Sequence, residues 1–160
     1  MKTFIAILIT IGASILGSVS AQQPIAKKPP VGIPADATSF NGKWYRVYFE
    51  KGSWQHARDR CNVLGGQLAI VPDEATHAFI KKLADSTALW LGATDEKVKN
   101  VWVWSDGSRM TFKAWDTEHG QPNGGRKENY LLIWKTGKWH DAGEQGDQQT
   151  VGFICEWKAK

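Results

Sequence analysis

The sequence predicts a single α+β domain, and three observations carry that expectation. Two amphipathic helical stretches follow one another between residues 53 and 84. Apolar, β-branched and aromatic runs at strand length dominate the rest. The two cysteines, Cys61 and Cys155, lie one in each half, so that one bond between them would tie the ends of the fold together. A length of 160 residues leaves room for one domain of ordinary size and short appendages.

The appendages come first. Residues 1–21 read as a secretory signal peptide. Lys2 supplies the positive start, Phe4 to Leu16 is an apolar run, and Val19-Ser20-Ala21 is a small-residue cleavage site. The run is shorter than the ~20 residues a bilayer span needs, and no other segment reads as a membrane span. Secretion to the extracellular space is the expected destination. Residues 22–39 are Pro-rich and aperiodic, an extended linker, and the domain is expected over residues 40–160.

Within the domain each element has its own signal. Lys43 to Glu50 (KWYRVYFE) is aromatic and β-branched, a strand. Ser53 is a good N-cap, and Trp54, Ala57, Cys61 and Leu64 then recur on one helical face until Gly65-Gly66 ends the helix. Gln67 to Val71 reads as a short strand. Pro72-Asp73 opens a second helix to about Ala84, with Ala75, Phe79, Ile80 and Leu83 inward. Ala88 to Ala93 and Val101 to Trp104 are buried strands, the second closed by the turn Ser105-Asp106-Gly107-Ser108. A long loop follows. Asn129 to Lys135 and Lys138 to His140 form a hairpin about Thr136-Gly137, and Val151 to Trp157 is the last strand.

Composition narrows the function. The formal net charge is +4, or about +3 once Lys2 is removed with the leader, and basic residues are scattered among acids. Nucleic-acid binding wants a concentrated basic face and is not expected. Nine tryptophans are the unusual number; most fall at strand positions and read as core. An exported chain makes a Cys61–Cys155 disulfide chemically feasible. In the chain-entropy model a loop of ~100 residues is worth roughly 4.7 kcal/mol; two free thiols is the alternative. There is no nucleophile elbow and no HExxH motif, so an enzyme is not expected.

The stretch from Trp115 to Asp141 carries the chemistry. Gln121-Pro122-Asn123, Glu128-Asn129 and His140-Asp141 gather amide and carboxylate oxygens on a loop beside strands. That suits a hard cation such as Ca2+, which takes 6–8 oxygens. The bland readings are a plain Pro-Asn turn and two solvated surface acids. Zn2+ on His119, His140 and Glu128 is a further alternative, resting on residue type alone.

Taken in order, the pieces resemble a C-type lectin-like domain over about residues 40–158. They are Ser53-Trp54 to Cys61 with Gly65-Gly66-Gln67-Leu68-Ala69; Trp90-Leu91-Gly92; Trp104-Ser105-Asp106-Gly107; Trp115 ahead of Gln121-Pro122-Asn123; Glu128-Asn129; Trp139-His140-Asp141; and Phe153-Ile154-Cys155-Glu156. The resemblance implies a double-loop fold, two helices flanking two small antiparallel sheets, with a long Ca2+- and sugar-binding loop and Cys61 paired to Cys155. It implies Ca2+ as cofactor at Gln121, Asn123, Glu128 and Asp141, with a cis bond before Pro122. A glycan would be bound at the same residues and His140. Two departures stand out. Tyr130 occupies the position of the family's second-disulfide cysteine, so the loop is expected to rely on packing and on the ion. His140 stands where the family has Asn and offers nitrogen rather than oxygen. A protonated imidazole there would repel a cation, so binding is expected to fail below about pH 6.

The expected function is therefore a secreted, Ca2+-dependent carbohydrate-binding protein. Gln121 leans it towards galactose-type sugars, and Trp115 or Trp134 could stack on a sugar if exposed. The alternative is a metal-independent protein-binding or structural domain of the same fold. The oligomeric state has no signature in the sequence, since no coiled-coil heptad is present.

Overall fold

The structure, a computed structural model, describes residues 28–158. The expected leader of residues 1–21 and the first part of the expected linker lie outside the described residues. In chain order the elements are β1 (Thr38–Phe40), β2 (Lys43–Tyr48), α1 (Trp54–Val63), β3 (Gln67–Leu68), α2 (Glu74–Ala84), β4 (Ala88–Thr94), β5 (Val103–Trp104), β6 (Tyr130–Ile133), β7 (Trp139–Ala142) and β8 (Thr150–Lys158).

The strands form one hydrogen-bonded network in the order β1-β2-β8-β4-β6-β7, with β3 on β8 and β5 on β4. It consists of two antiparallel groups, one around β8 and one around β4. A parallel pairing of β4 with β8 joins them, so the two small sheets implied by the resemblance meet along one seam. Helix α1 starts where Ser53 Oγ accepts the His56 amide, and α2 where an Asp73 carboxylate oxygen accepts the Thr76 amide. Two cores result. One lies under α2 and includes Ile80, Leu89, Leu91, Leu131, Ile133 and Trp139. The other lies under α1 and includes Trp54, Leu68, Trp90, Leu132, Phe153 and the disulfide-bonded Cys61 and Cys155.

Four local expectations change. Thr38–Phe40, at the end of the expected linker, pairs in register with Lys43–Tyr45 across an Asn41-Gly42 turn, and both turn residues have positive φ. That is the two-residue turn whose twist matches a hairpin. Ala37 before it is buried, so the domain begins earlier than residue 40. β3 stops at Leu68 because the buried Glu156 carboxylate accepts the Ile70 amide at 3.0 Å. β5 keeps only Val103–Trp104, which pair with the last two residues of β4. On α2 the buried face is Thr76, His77, Ile80 and Ala84, with Ala75 outside. His77 packs edge-on against Trp139, and burial pushes its imidazole pKa down.

Tyr130, where the resemblance implies a cysteine, makes non-covalent contacts. Its ring stacks on Trp54, centroids 5.1 Å apart, and its hydroxyl accepts from Gln55 Nε2 at 2.6 Å. Non-covalent contacts thereby tie the foot of the long loop to α1.

Candidate functional site

The long loop leaves the core after Trp115 and returns at Tyr130. Both of its ends are stitched near β7. The Trp139 amide donates to Ala114 O (2.8 Å) and the Asp116 amide to Trp139 O (3.0 Å) at the outgoing end. At the return, the Asn129 amide donates to Ala142 O (3.0 Å) and the Asp95 amide to Asn129 O (3.1 Å). Between these points the chain makes two short 3-10 turns, Thr117–His119 and Gly125–Lys127, and a cis Gln121–Pro122 bond.

This path brings the sequence-predicted residues together. Gln121, Asn123, Glu128, His140 and Asp141 all line one open depression of about 180 Å³. The Asp141 carboxylate is buried and accepts the Asn123 amide on Oδ1 (2.9 Å) and the Gly124 amide on Oδ2 (3.1 Å). The Asp141 amide in turn donates to Gln121 Oε1 (3.1 Å). Asn123 Nδ2 donates to His119 O (3.3 Å). Glu128 lies against the backbone of Gly124, where any side chain would collide with its carboxylate. Burial pushes the Glu128 carboxyl up, and the neighbouring Asp141 carboxylate pushes it further. Two neighbouring carboxylates, Glu128 and Asp141, beside two amide carbonyls are a donor set that fits a hard divalent cation.

His140 is engaged on both nitrogens. Nε2 lies 3.0 Å from Asp116 Oδ2, Nδ1 lies 3.3 Å from Gln121 Nε2, and the ring stacks on Trp134 at 5.0 Å and 17°. The imidazole is thus a brace between the loop and β7, with no free nitrogen turned to a cation. Its anchor, Asp116, is a residue the sequence reasoning missed. Asp116 is buried, and its other oxygen lies 2.9 Å from His119 Nδ1. The bond to His119, then that to His140, hold the Asp116 carboxyl below its ordinary value; Asp116 raises His119 in return. The i, i+3 spacing of Asp116 and His119 was a signal available in the sequence. Both histidines converge on Asp116 rather than on Glu128. Among the described residues no three His, Cys, Asp or Glu side chains form a metal-binding group.

A second missed pair lies behind the loop. Lys99 Nζ is 2.9 Å from the buried Asp95 Oδ2 and donates to Glu128 O at 2.8 Å. This ammonium fixes the main chain that carries the Glu128 carboxylate. Of the two tryptophans considered for stacking, Trp115 is packed edge-on between Trp102 and Trp139 in the core. Trp134 is half-buried and forms a wall of the depression.

Known proteins share this fold. The family model described as the lectin C-type domain matches residues 50–157. Chicken (Gallus gallus) hepatic lectin is 30% identical over 105 residues, 64% of this chain and 50% of that protein. The chain therefore spans about half the length of that relative. Among solved structures, the C-type carbohydrate-recognition domain of cow CD23, determined in the presence of a GlcNAc2Man3 oligosaccharide, superposes with a TM-score of 0.72. It has 26% identity and covers 80% of this chain and 97% of its own. Herring type II antifreeze protein superposes with a TM-score of 0.71 at 25% identity, over 80% of this chain and 100% of that one.

Proposed function

The chain belongs to the C-type lectin domain family, and on that premise we propose that it is a Ca2+-dependent carbohydrate-binding protein acting outside the cell. The observation that carries the reading is the pairing of Glu128 and Asp141 carboxylates with Gln121 and Asn123 in one open depression walled by Trp134.

Gln121, Asn123, Glu128 and Asp141 would hold the ion. When bound, Ca2+ supplies a hard Lewis-acid centre at which two neighbouring sugar hydroxyls take the place of water. Asn123 and Glu128 would act on one hydroxyl as a pair: the amide would donate a hydrogen bond to its oxygen and the carboxylate would accept one from its O–H. Only this pair includes an acid. Gln121 is already bonded to Asp141 and faces His140, which is itself held by Asp116, so the second hydroxyl meets an amide and an imidazole. The part of Trp134 that His140 leaves uncovered offers apolar surface beside it. An amide at Gln121 and an aromatic wall suit a galactose-type sugar, whose axial hydroxyl leaves one ring face apolar. With two charged ligands the expected affinity for Ca2+ lies in the weak extracellular range, about 10⁻⁴–10⁻³ M. The leader-like residues 1–21 and the Cys61–Cys155 disulfide favour action outside the cell.

A second reading, a metal-independent protein-binding or structural domain, is favoured by one observation. Asp141 closes the loop onto β7 through protein hydrogen bonds alone. A glycan array run with Ca2+ and again with EDTA separates the two. Galactose-type signal that vanishes in EDTA supports the lectin reading; no signal in either condition overturns it.

A further inference from the structure

Beyond the loop, a second pocket of about 360 Å³ lies between the C-terminal end of α2 and the turn joining β6 to β7. Lys81 and Lys82 line it from the helix, Lys135 from the turn, and Trp134 from the strand end. Trp134 is also a wall of the candidate sugar site, so one indole separates the two depressions. The Lys81 stem lies across Gly137, where an added Cβ would meet Lys81 Cδ at 2.5 Å; this brings helix and turn together.

The charge at this pocket is predominantly positive. Among the described residues Lys81, Lys82 and Lys135 take part in no ion pair, whereas Lys43 and Lys99 each have a carboxylate partner. Lys135 donates to the neutral Gln149 side chain. The one acid on the lining is Asp85, at the helix end. Two lysines in the last turn of a helix are ordinary complements of its C-terminal carbonyls. That accounts for Lys81 and Lys82 singly, but not for a third lysine brought to the same pocket from another element.

We propose that this pocket is an anion subsite of the same binding face, taking a sulfate or carboxylate substituent of the glycan held at the Gln121–Asp141 site. The inference rests on the lectin reading. The sugar ring sits at the loop on one side of Trp134, and its acidic substituent, or that of the adjoining residue, reaches the three ammonium groups on the other. Both substituents present the same chemistry, an anion with several acceptor oxygens for Lys donors, and matched ligands tell them apart.

The test uses three versions of one galactose-type glycan (neutral, sulfated and carboxylated), titrated with Ca2+ or EDTA against the wild-type chain and a Lys81→Gln/Lys82→Gln/Lys135→Gln variant. Each exposed charge pair is weak, so three together are expected to give an acidic ligand about a tenfold advantage at low salt, shrinking as salt rises. The variant is expected to lose this advantage while binding the neutral glycan as before, which also shows that it is folded. A larger advantage for one acidic version names the substituent. Equal binding of neutral and acidic glycans by the wild type would overturn the subsite, as would an acidic preference that survives in the variant. Acidic binding that persists in EDTA would overturn the shared ligand. Absence of all glycan binding by the wild type with Ca2+ would instead sink the lectin reading, and the subsite with it.

Discussion

Replacing Asp141 with Asn separates the loop-bracing role of that carboxylate from any role as a cation ligand. The buried carboxylate accepts the Asn123 and Gly124 amides at 2.9 and 3.1 Å. Hydrogen bonds to a charged group contribute about 1.5–3 kcal/mol each. An Asn carboxamide keeps one neutral acceptor and turns an NH2 towards the other amide, so one charge-assisted bond is lost and the second is weakened. Asn123 is exposed and its amide can turn to water, which brings the expected cost to about 2 kcal/mol. For a domain of this size that corresponds to a Tm lower by roughly 6–10 °C. The assay is thermal unfolding of wild-type and Asp141→Asn proteins in EDTA, where no cation can contribute. A difference below about 2 °C would refute the brace and leave Asp141 with cation binding as its only role.

Three further outcomes follow from the same geometry. Lys99→Met leaves the Asp95 carboxylate buried without its partner and is expected to cost about 3 kcal/mol in chemical denaturation, part of which Asp95→Asn should restore; an unchanged midpoint would show that the pair does not hold the return of the loop. His119 should titrate above its ordinary value by NMR and fall back in Asp116→Asn. Its raised folded pKa stabilises fully below the unfolded value of about 6.5 and fades as pH rises through the folded one; the lowered Asp116 pKa stabilises above about 3.9 and is lost as pH falls. The stability gap between the two proteins should thus be widest between those values and narrow above them, and a gap that widens at alkaline pH would contradict the pairing. Tyr130→Phe removes the acceptor of Gln55 and is expected to cost about 1 kcal/mol, read as a denaturation midpoint; no change would mean that ring stacking on Trp54 alone ties β6 to α1.

The parts of this molecule visible in the sequence are those set by local rules. Caps at Ser53 and Asp73, the periodic face of α1, and the apolar runs of β4, β6 and β8 follow from spacing and residue type. The ordered string of motifs located the loop residues. What escaped was decided by partners distant in the chain. Val101 and Trp102 have strand character, but the end of β4 offers hydrogen bonds only to Val103 and Trp104. Gln67–Val71 shortens because Glu156, some 86 residues from Ile70, takes its amide. Asp116 is one loop acid among several; His119 lies only three residues on, but only folding sets its second oxygen against His140. The Asn41-Gly42 hairpin was legible and was masked by the Pro-rich stretch before it.

The way the long loop is fastened bears on how such a domain can change. Its two ends meet opposite ends of the same short strand, through main-chain groups at Ala114, Asp116, Asn129 and Ala142. Backbone bonds do not depend on side-chain identity, and the entropy of closing a loop rises only slowly with its length. The segment between those points therefore behaves as an exchangeable cassette. Residues 117–128 can lengthen, shorten or be rewritten for another ligand while the register of β7 and the cores beneath it stay as they are, provided that Asp116 and Asp141 keep something to hold.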